Sequence, residues 1–355
     1  MKSLLEVDGH KNFRRLTHSK QTIMINHRNQ NKLRSFFIIN LFFTIASFSL
    51  YQIAVCNSFE KPIKIVTNNW TSQIILSHIT GAIFEEMGFR VEYHPMDSRE
   101  QWGGIYRGKY HVQIEVWEGN GSKLFQRMIK AGGIVDAGNH DIRTREEWWY
   151  PSYVEKSCPG LPSWKALNNC YQLFVVPETV PKGRYLSGPW GKPDRARIRA
   201  LNLKFKVVEM KKAVDLRERL KQALNKRQPI LVFNWTPNWT DVDFEGKFIE
   251  FPEYTLECET DPKWGINPDF HHDCGNPKNG WLKKATWSGM EKEWPCAFQT
   301  LVNISFNNRM LIHLIYKVDI DRQKIESVAS EWIKQHALTW TKWIPNHCRN
   351  HLQNR

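Results

Sequence analysis

The sequence predicts an α/β protein of two lobes with a ligand cleft between them, and three observations predict it. Two blocks of β-α alternation flank a Pro/Gly-rich connection. Tryptophan is abundant, 16 in 355 residues, more than packing alone needs. Three of these tryptophans stand just past runs that read as strands, in Asn69-Trp70-Thr71, Glu115-Val116-Trp117 and Asn234-Trp235-Thr236-Pro237-Asn238-Trp239. A ring at a strand end faces a loop crevice, where open α/β sheets keep their ligands.

The elements follow in order. Ile63 to Val66 is a β-branched run and reads as a buried strand. Thr71 or Ser72 then caps a helix whose Ile75, Ile79 and Ile83 repeat every four residues and which Gly88 ends. Arg90 to Tyr93 and His111 to Val116 alternate as strands, the second running into Trp117. This β-α-β rhythm implies a mostly parallel sheet with covering helices. After Tyr150 the texture changes at Cys158-Pro159-Gly160-Leu161-Pro162. A second alternation follows: a strand at Val207-Val208, an amphipathic helix from Ala213 to Lys226, and a strand from Ile230 to Phe233 that runs into Trp235. Residues 252–296 read as loop-rich, and a helix from Asp321 to His336 carries Ile325, Val328, Ala329, Trp332 and Ile333 on one face. Glu85-Glu86 and Glu146-Glu147 read as solvated faces.

The net charge of +14 would suit a nucleic acid, but its distribution argues against one. Residues 1–56 hold eight Lys/Arg against Glu6 and Asp8, and the rest of the chain shows no basic run with interleaved aromatics. That basic segment precedes the apolar stretch Phe36 to Val55, so residues 1–56 read as a signal sequence, with an uncleaved membrane anchor as the competing reading. Met24 is an alternative start, and Val55-Cys56 is a poor lipid-attachment box. Either way the remainder is expected to be exported: periplasmic, secreted or tethered outside the cell.

Six further cysteines agree with an oxidising compartment. Local spacing favours Cys158–Cys170 and Cys258–Cys274, leaving Cys296–Cys348 by elimination. Metal ligation lacks any CxxC pair, and adjacent residues in His271-His272-Asp273-Cys274 cannot all face one ion. Asn69, Asn120, Asn234, Asn238 and Asn303 begin N-x-S/T sequons. The three beside the key tryptophans are expected to be bare.

Several converging rings make a cage that suits a quaternary ammonium, which has no N–H to offer a hydrogen-bond acceptor. Each desolvated ring contributes on the order of 2 kcal/mol. Three or four rings therefore account for micromolar binding, about 8 kcal/mol after ordering costs. A ligand carboxylate would suit backbone N–H groups at a helix N-terminus, and Thr71-Ser72 offers one beside Trp70.

The chain resembles the substrate-binding proteins of ABC importers for glycine betaine and choline. The resemblance is carried in register by Lys64 to Ser72, Ile83 to Phe89, Gly108 to Trp117, Cys158 to Trp164, Trp235 to Trp239, Asp261 to Pro268, and Glu331-Trp332 to Pro345. It implies a two-lobed periplasmic-binding-protein-like fold (type II), with mixed sheets, flanking helices and a cleft. Residues 61–150 and 240–345 would form lobe I and residues 151–239 lobe II. It implies Trp70 and Trp117 as the first-lobe wall and Trp235 as the second-lobe wall. A fourth ring is expected from Trp148, Trp149 or Tyr150, and the other tryptophans, Trp102 among them, are left to packing. Some choline-binding relatives place an acid two positions after the first-wall Trp; here Ser72 stands there, with Glu118 as a substitute acceptor.

The implied protein is a monomeric, non-enzymatic binder of a small quaternary ammonium ligand, with no cofactor or metal and an ABC permease as partner. Its membrane contact would be only through the N-terminal segment. Glycine betaine is the favoured ligand and choline the next. The sequence holds no G-x-S-x-G, no H-E-x-x-H and no phosphate-cradling glycine loop. The competing class is an extracellular carbohydrate-binding or adhesion module whose tryptophans stack on sugars. A third reading, a choline-ester or phosphocholine hydrolase, would need Ser, His and an acid beside Trp117.

Overall fold

The structure, a computed structural model, describes residues 61–349. The expected leader or anchor, Met24 and Cys56 lie outside them, as does the side chain of Asn120. Among the described residues nine strands form: β1 (Ile63–Thr67), β2 (Val91–Pro95), β3 (Val112–Trp117), β4 (Ile134–Pro151), β5 (Gly183–Ser187), β6 (Phe205–Glu209), β7 (Val232–Thr236), β8 (Gly246–Phe248) and β9 (Gly280–Trp287). Their order is β2-β1-β3-β9-β4-β7-β5-β6, with β8 beside β4.

That order contains one arrangement twice. β1 lies parallel to both β2 and β3, and β3 is bordered by antiparallel β9. β5 lies parallel to both β6 and β7, and β7 is bordered by antiparallel β4. β4 joins the halves. It pairs with β9 from Ile134 to Thr144 and with β7 from Arg145 to Trp149. The strand is 18 residues long because its two ends serve different halves.

Burial explains the elements. The helix Thr71–Glu86 covers the first half with Ile75, Ile79 and Ile83, each fully buried and contributing roughly 1.5–3 kcal/mol. Gly88 takes φ 92°, which lets the chain turn out of that helix at little steric cost. Trp70, not Thr71 or Ser72, is the residue capping its start, and it makes no side-chain cap. The Thr71 and Ser72 hydroxyls are engaged elsewhere, with Asp319 at 2.7 Å and Glu115 at 3.0 Å.

Two expectations fail. The loop-rich segment holds β9, whose Leu282 and Ala285 are fully buried in the sheet. Glu146 and Glu147 are not solvated: each is buried and paired, Glu146 with Lys192 at 2.6 Å and Glu147 with Arg197 at 2.6 Å. Burial pushes the Glu147 carboxyl up, against the opposing pull of Arg197. The C-terminal helix begins at Ile325 rather than Asp321, after a further helix at Asn308–Asp319. Cys158 pairs with Cys170, Cys258 with Cys274 and Cys296 with Cys348.

Candidate functional site

Two of the five tryptophans around one cavity stand at strand ends in the first half of the sheet. β1 ends at Thr67 and Trp70 stands three residues on, at the start of the helix Thr71–Glu86. β3 ends on Trp117 itself, where the helix Glu118–Lys130 begins. The second half repeats the pattern. β5 ends at Ser187 and Trp190 follows, before the helix Asp194–Ala200; β7 carries Trp235 near its end. Trp70, Trp117, Trp190 and Trp235 line the same cavity with Trp102 and Phe233. All four rings sit at the carboxyl ends of parallel strands, where such sheets hold ligands.

The first two rings are held by hydrogen bonds. Trp70 Nε1 and Trp117 Nε1 donate to Glu115 Oε2 at 2.7 and 3.0 Å, and Ser72 Oγ donates to the same oxygen at 3.0 Å. Glu115 is buried, and its Oε1 has no hydrogen-bond partner. Burial pushes the Glu115 carboxyl up to about 7, while the three donors pull it back. Behind it lies a buried amide network. Gln113 Oε1 accepts from the Glu115 backbone N–H at 2.9 Å and from Gln73 Nε2 at 2.9 Å, and Gln113 Nε2 donates to Asn68 Oδ1 at 2.8 Å.

The other two rings are held by aromatic contact. Trp190 lies 5.4 Å from Phe233 and 5.4 Å, edge-on, from Trp235, and Phe233 lies 5.8 Å from Trp235. Offset and edge-to-face pairs of this kind add about 0.5–1.5 kcal/mol beyond area burial. Lys192 stands 4.5 Å over the Phe233 ring while paired with Glu146. Trp190 Nε1 donates to Asn69 Oδ1 at 3.0 Å, a bond that joins the two halves.

The polar lining holds two acids, Glu115 and Glu146, with Ser98, Gln101 and Arg99. Glu115 and Glu146 are buried in it, and Glu146 Oε2 has no hydrogen-bond partner. Glu146 abuts the start of the helix Glu118–Lys130, where a Cβ on Gly119 would come 2.6 Å from Oε2. Arg99 is the base of the lining, and its side chain is 66% exposed.

The sequence-predicted residues divide. The structure brings Trp70, Trp117 and Trp235 to one cavity, with Ser72 one hydrogen bond behind it through Glu115. Thr71 is turned away toward Asp319. Trp149 and Tyr150 do not line the cavity: Trp149 packs into the core against Gly246, and the Tyr150 hydroxyl donates to Glu155 at 2.8 Å. Trp148 stacks on Tyr185 at 3.9 Å and donates to Asp194 at 2.8 Å. These three sit in the interior because β4 is a central strand buried on both faces. The fourth wall is Trp190, which sequence reasoning missed, and Trp102 joins the lining instead of only packing. Glu118 turns toward β9 and accepts the Trp281 N–H at 3.1 Å. Asn234 and Asn238 are buried and bonded to each other at 2.8 Å, which leaves no room for glycans.

Paired parallel-strand triplets with an aromatic cavity at their carboxyl ends define a two-lobed solute-binding protein. The chain belongs to the family described as the substrate-binding domain of the ABC-type glycine betaine transport system, which matches residues 61–335. Its members are solute-binding proteins, not enzymes. The chain is 38% identical over 291 residues to the trimethylamine N-oxide-binding protein of Pelagibacter ubique, covering 79% of this chain and 90% of that one. Among solved structures it is similar to the glycine betaine/L-proline-binding protein of Borrelia burgdorferi, with TM-score 0.64 and 19% identity over 82% of this chain and all of that one. It is also similar to the lactococcal binding protein closed on glycine betaine, with TM-score 0.61 and 18% identity over 81% of this chain and all of that one. At such identities the two structures show the fold.

Proposed function

We propose that the protein is the extracytoplasmic component of an importer and captures a compact trimethylammonium compound in this cage by closing two lobes. Residues 61–144 and 280–345, which carry β1, β2, β3 and β9, form one lobe. Residues 145–248, which carry the far end of β4 and β5 to β8, form the other, a boundary shifted from the expected 150 and 240 because β4 crosses between them. The single observation that carries the reading is the convergence of Trp70, Trp117, Trp190 and Trp235 on one cavity, two from each half. Methyl groups fill the space between rings and the cation meets their electron-rich faces. Closure then assembles the complete cage, since Trp70, Trp102 and Trp117 come from the first half and Trp190 and Trp235 from the second.

Trimethylamine N-oxide is the leading ligand, ahead of glycine betaine and choline. Two observations favour it over the betaine that the sequence suggested. The Pelagibacter relative, similar over 90% of its length, is named for this ligand. The lining holds one buried carboxyl without a cation among the described residues, Glu115, while its guanidinium, Arg99, is mostly exposed, poor surroundings for a ligand carboxylate. A single N-oxide oxygen needs far less cationic support. Calorimetry of residues 57–355 with trimethylamine N-oxide, betaine, choline, carnitine and a neutral isostere tests the reading. The expected order places the N-oxide first and the isostere last; equal affinity for the isostere overturns the cage.

A further inference from the structure

Glu115 is more than a scaffold for two rings. A neutral acceptor would suffice to fix Trp70 and Trp117, yet the structure places a carboxyl there. One oxygen takes all three donors, and the other is buried in the cavity lining with none. A buried polar atom without a partner is destabilising, and this one belongs to a residue of the cavity lining, so its retention points to a partner that arrives from outside. We propose that Glu115 is the positioning and charge-selecting residue of the cage: Oε2 holds the Trp70 and Trp117 rings, and Oε1 sets the preference between a net cation and a neutral ligand bearing an anionic oxygen. The assignment rests on the aromatic-cage reading and deepens it.

The electrostatics around Glu115 isolate it. The helix Thr71–Glu86 offers it only the neutral Ser72, and β3 the neutral Gln113. Thr71 is engaged behind by Asp319 and Arg217. Glu146, from β4, lines the same cavity but is compensated by Lys192, and Arg99 stands at the exposed rim. Glu118 faces Trp281. Against the β3 backbone, His140 Nε2 meets the Ile114 carbonyl at 2.9 Å, and burial holds that imidazole down to about 3, hence neutral. Among the described residues no cation pairs with Glu115.

The consequences have opposite signs for two ligand types. Ionised Glu115 attracts a permanent cation through Oε1. Protonated Glu115 donates from Oε1 to an N-oxide oxygen and spares it a facing carboxylate. With the carboxyl near 7, its ionised fraction rises about tenfold from pH 6 to pH 8. Tetramethylammonium should therefore bind about tenfold tighter at pH 8, and trimethylamine N-oxide several-fold tighter at pH 6. The neutral isostere tert-butanol should be flat.

Titration calorimetry of the wild-type protein at pH 6, 7 and 8 with these three probes is the test. Opposite slopes for the cation and the N-oxide support the assignment; parallel or flat profiles overturn it, whatever any variant does. Glu115→Gln should abolish both slopes, and retention of either overturns it. Ser72→Ala, which removes one donor to the carboxylate, should move the midpoint of the cation profile upward; a purely scaffolding role would leave the midpoint in place. Failure of both methylated probes to bind at any pH refutes the cage itself, and the role of Glu115 with it.

Discussion

The two walls of the cavity are built by different means. Trp70 and Trp117 share one carboxylate oxygen, tied through the backbone to buried Gln113 and its amide partners. Trp190, Phe233 and Trp235 lean on one another at 5.4–5.8 Å, and the Trp190 indole N–H is satisfied by Asn69 of the opposite half. The first wall is complete within its own half. The second leaves the Trp190 N–H to bond water whenever the halves separate. Under the proposed closure the difference teaches where preorganisation resides: one wall would be fixed before the ligand arrives, and the other would gain its last bond as the halves meet.

The largest effect should come from the fixed wall. Trp117→Ala removes a ring worth about 2 kcal/mol. Affinity for trimethylamine N-oxide should fall on the order of 30-fold by calorimetry. Because the buried Trp117 also belongs to the core, the melting temperature should fall with it. Trp190→Phe should cost far less. It keeps an aromatic face and loses the bond to Asn69, about 1 kcal/mol or roughly fivefold. Its loss should appear as faster dissociation in stopped-flow tryptophan fluorescence, with association unchanged. If Trp190→Phe costs as much as Trp117→Ala, the two walls are not different in kind.

The same asymmetry explains what could be read in the sequence. Trp70, Trp117 and Trp235 were legible because β-branched or alternating runs announce β1, β3 and β7. Trp190 was not, since β5 is Gly183-Arg184-Tyr185-Leu186-Ser187, a run with no such pattern. The signal that would have found it is the repeated order of strand, tryptophan and helix, with Trp190 standing to β5 as Trp70 stands to β1. Trp149 and Tyr150 misled because an aromatic run on a central strand has the same composition as a cage wall. Only the pairing of β4 with β7 and β8 shows that it faces the core. Glu146 and Glu147 misled for another reason: their cations, Lys192 and Arg197, lie 46 and 50 residues away. Local pattern carries no information about a pair so separated.

The smallest effect sharpens the comparison most, because it leaves both walls intact. Asp319, at the end of the helix Asn308–Asp319, accepts from Thr71 Oγ1 at 2.7 Å and pairs with Arg217 of the helix Ala213–Asn225. Arg217 belongs to the second half and Thr71 to the first, so this ion pair spans the cleft away from the rings. Burial pushes the Asp319 carboxyl up and Arg217 opposes the shift, so the pair is held against a desolvation cost. With Arg217 only 20% exposed, its contribution to closure is about 0.6 kcal/mol. Asp319→Asn keeps the size and the acceptor for Thr71 but discards the charge. Affinity should fall about threefold, entirely through a smaller closed population. Raising salt from about 50 to 500 mM should weaken the wild type more than the variant. The wild type has one more ion pair between the halves to screen, the Arg322–Glu218 pair being common to both. An equal salt response in both would place the control of closure back in the rings, and the second wall would then be its own latch.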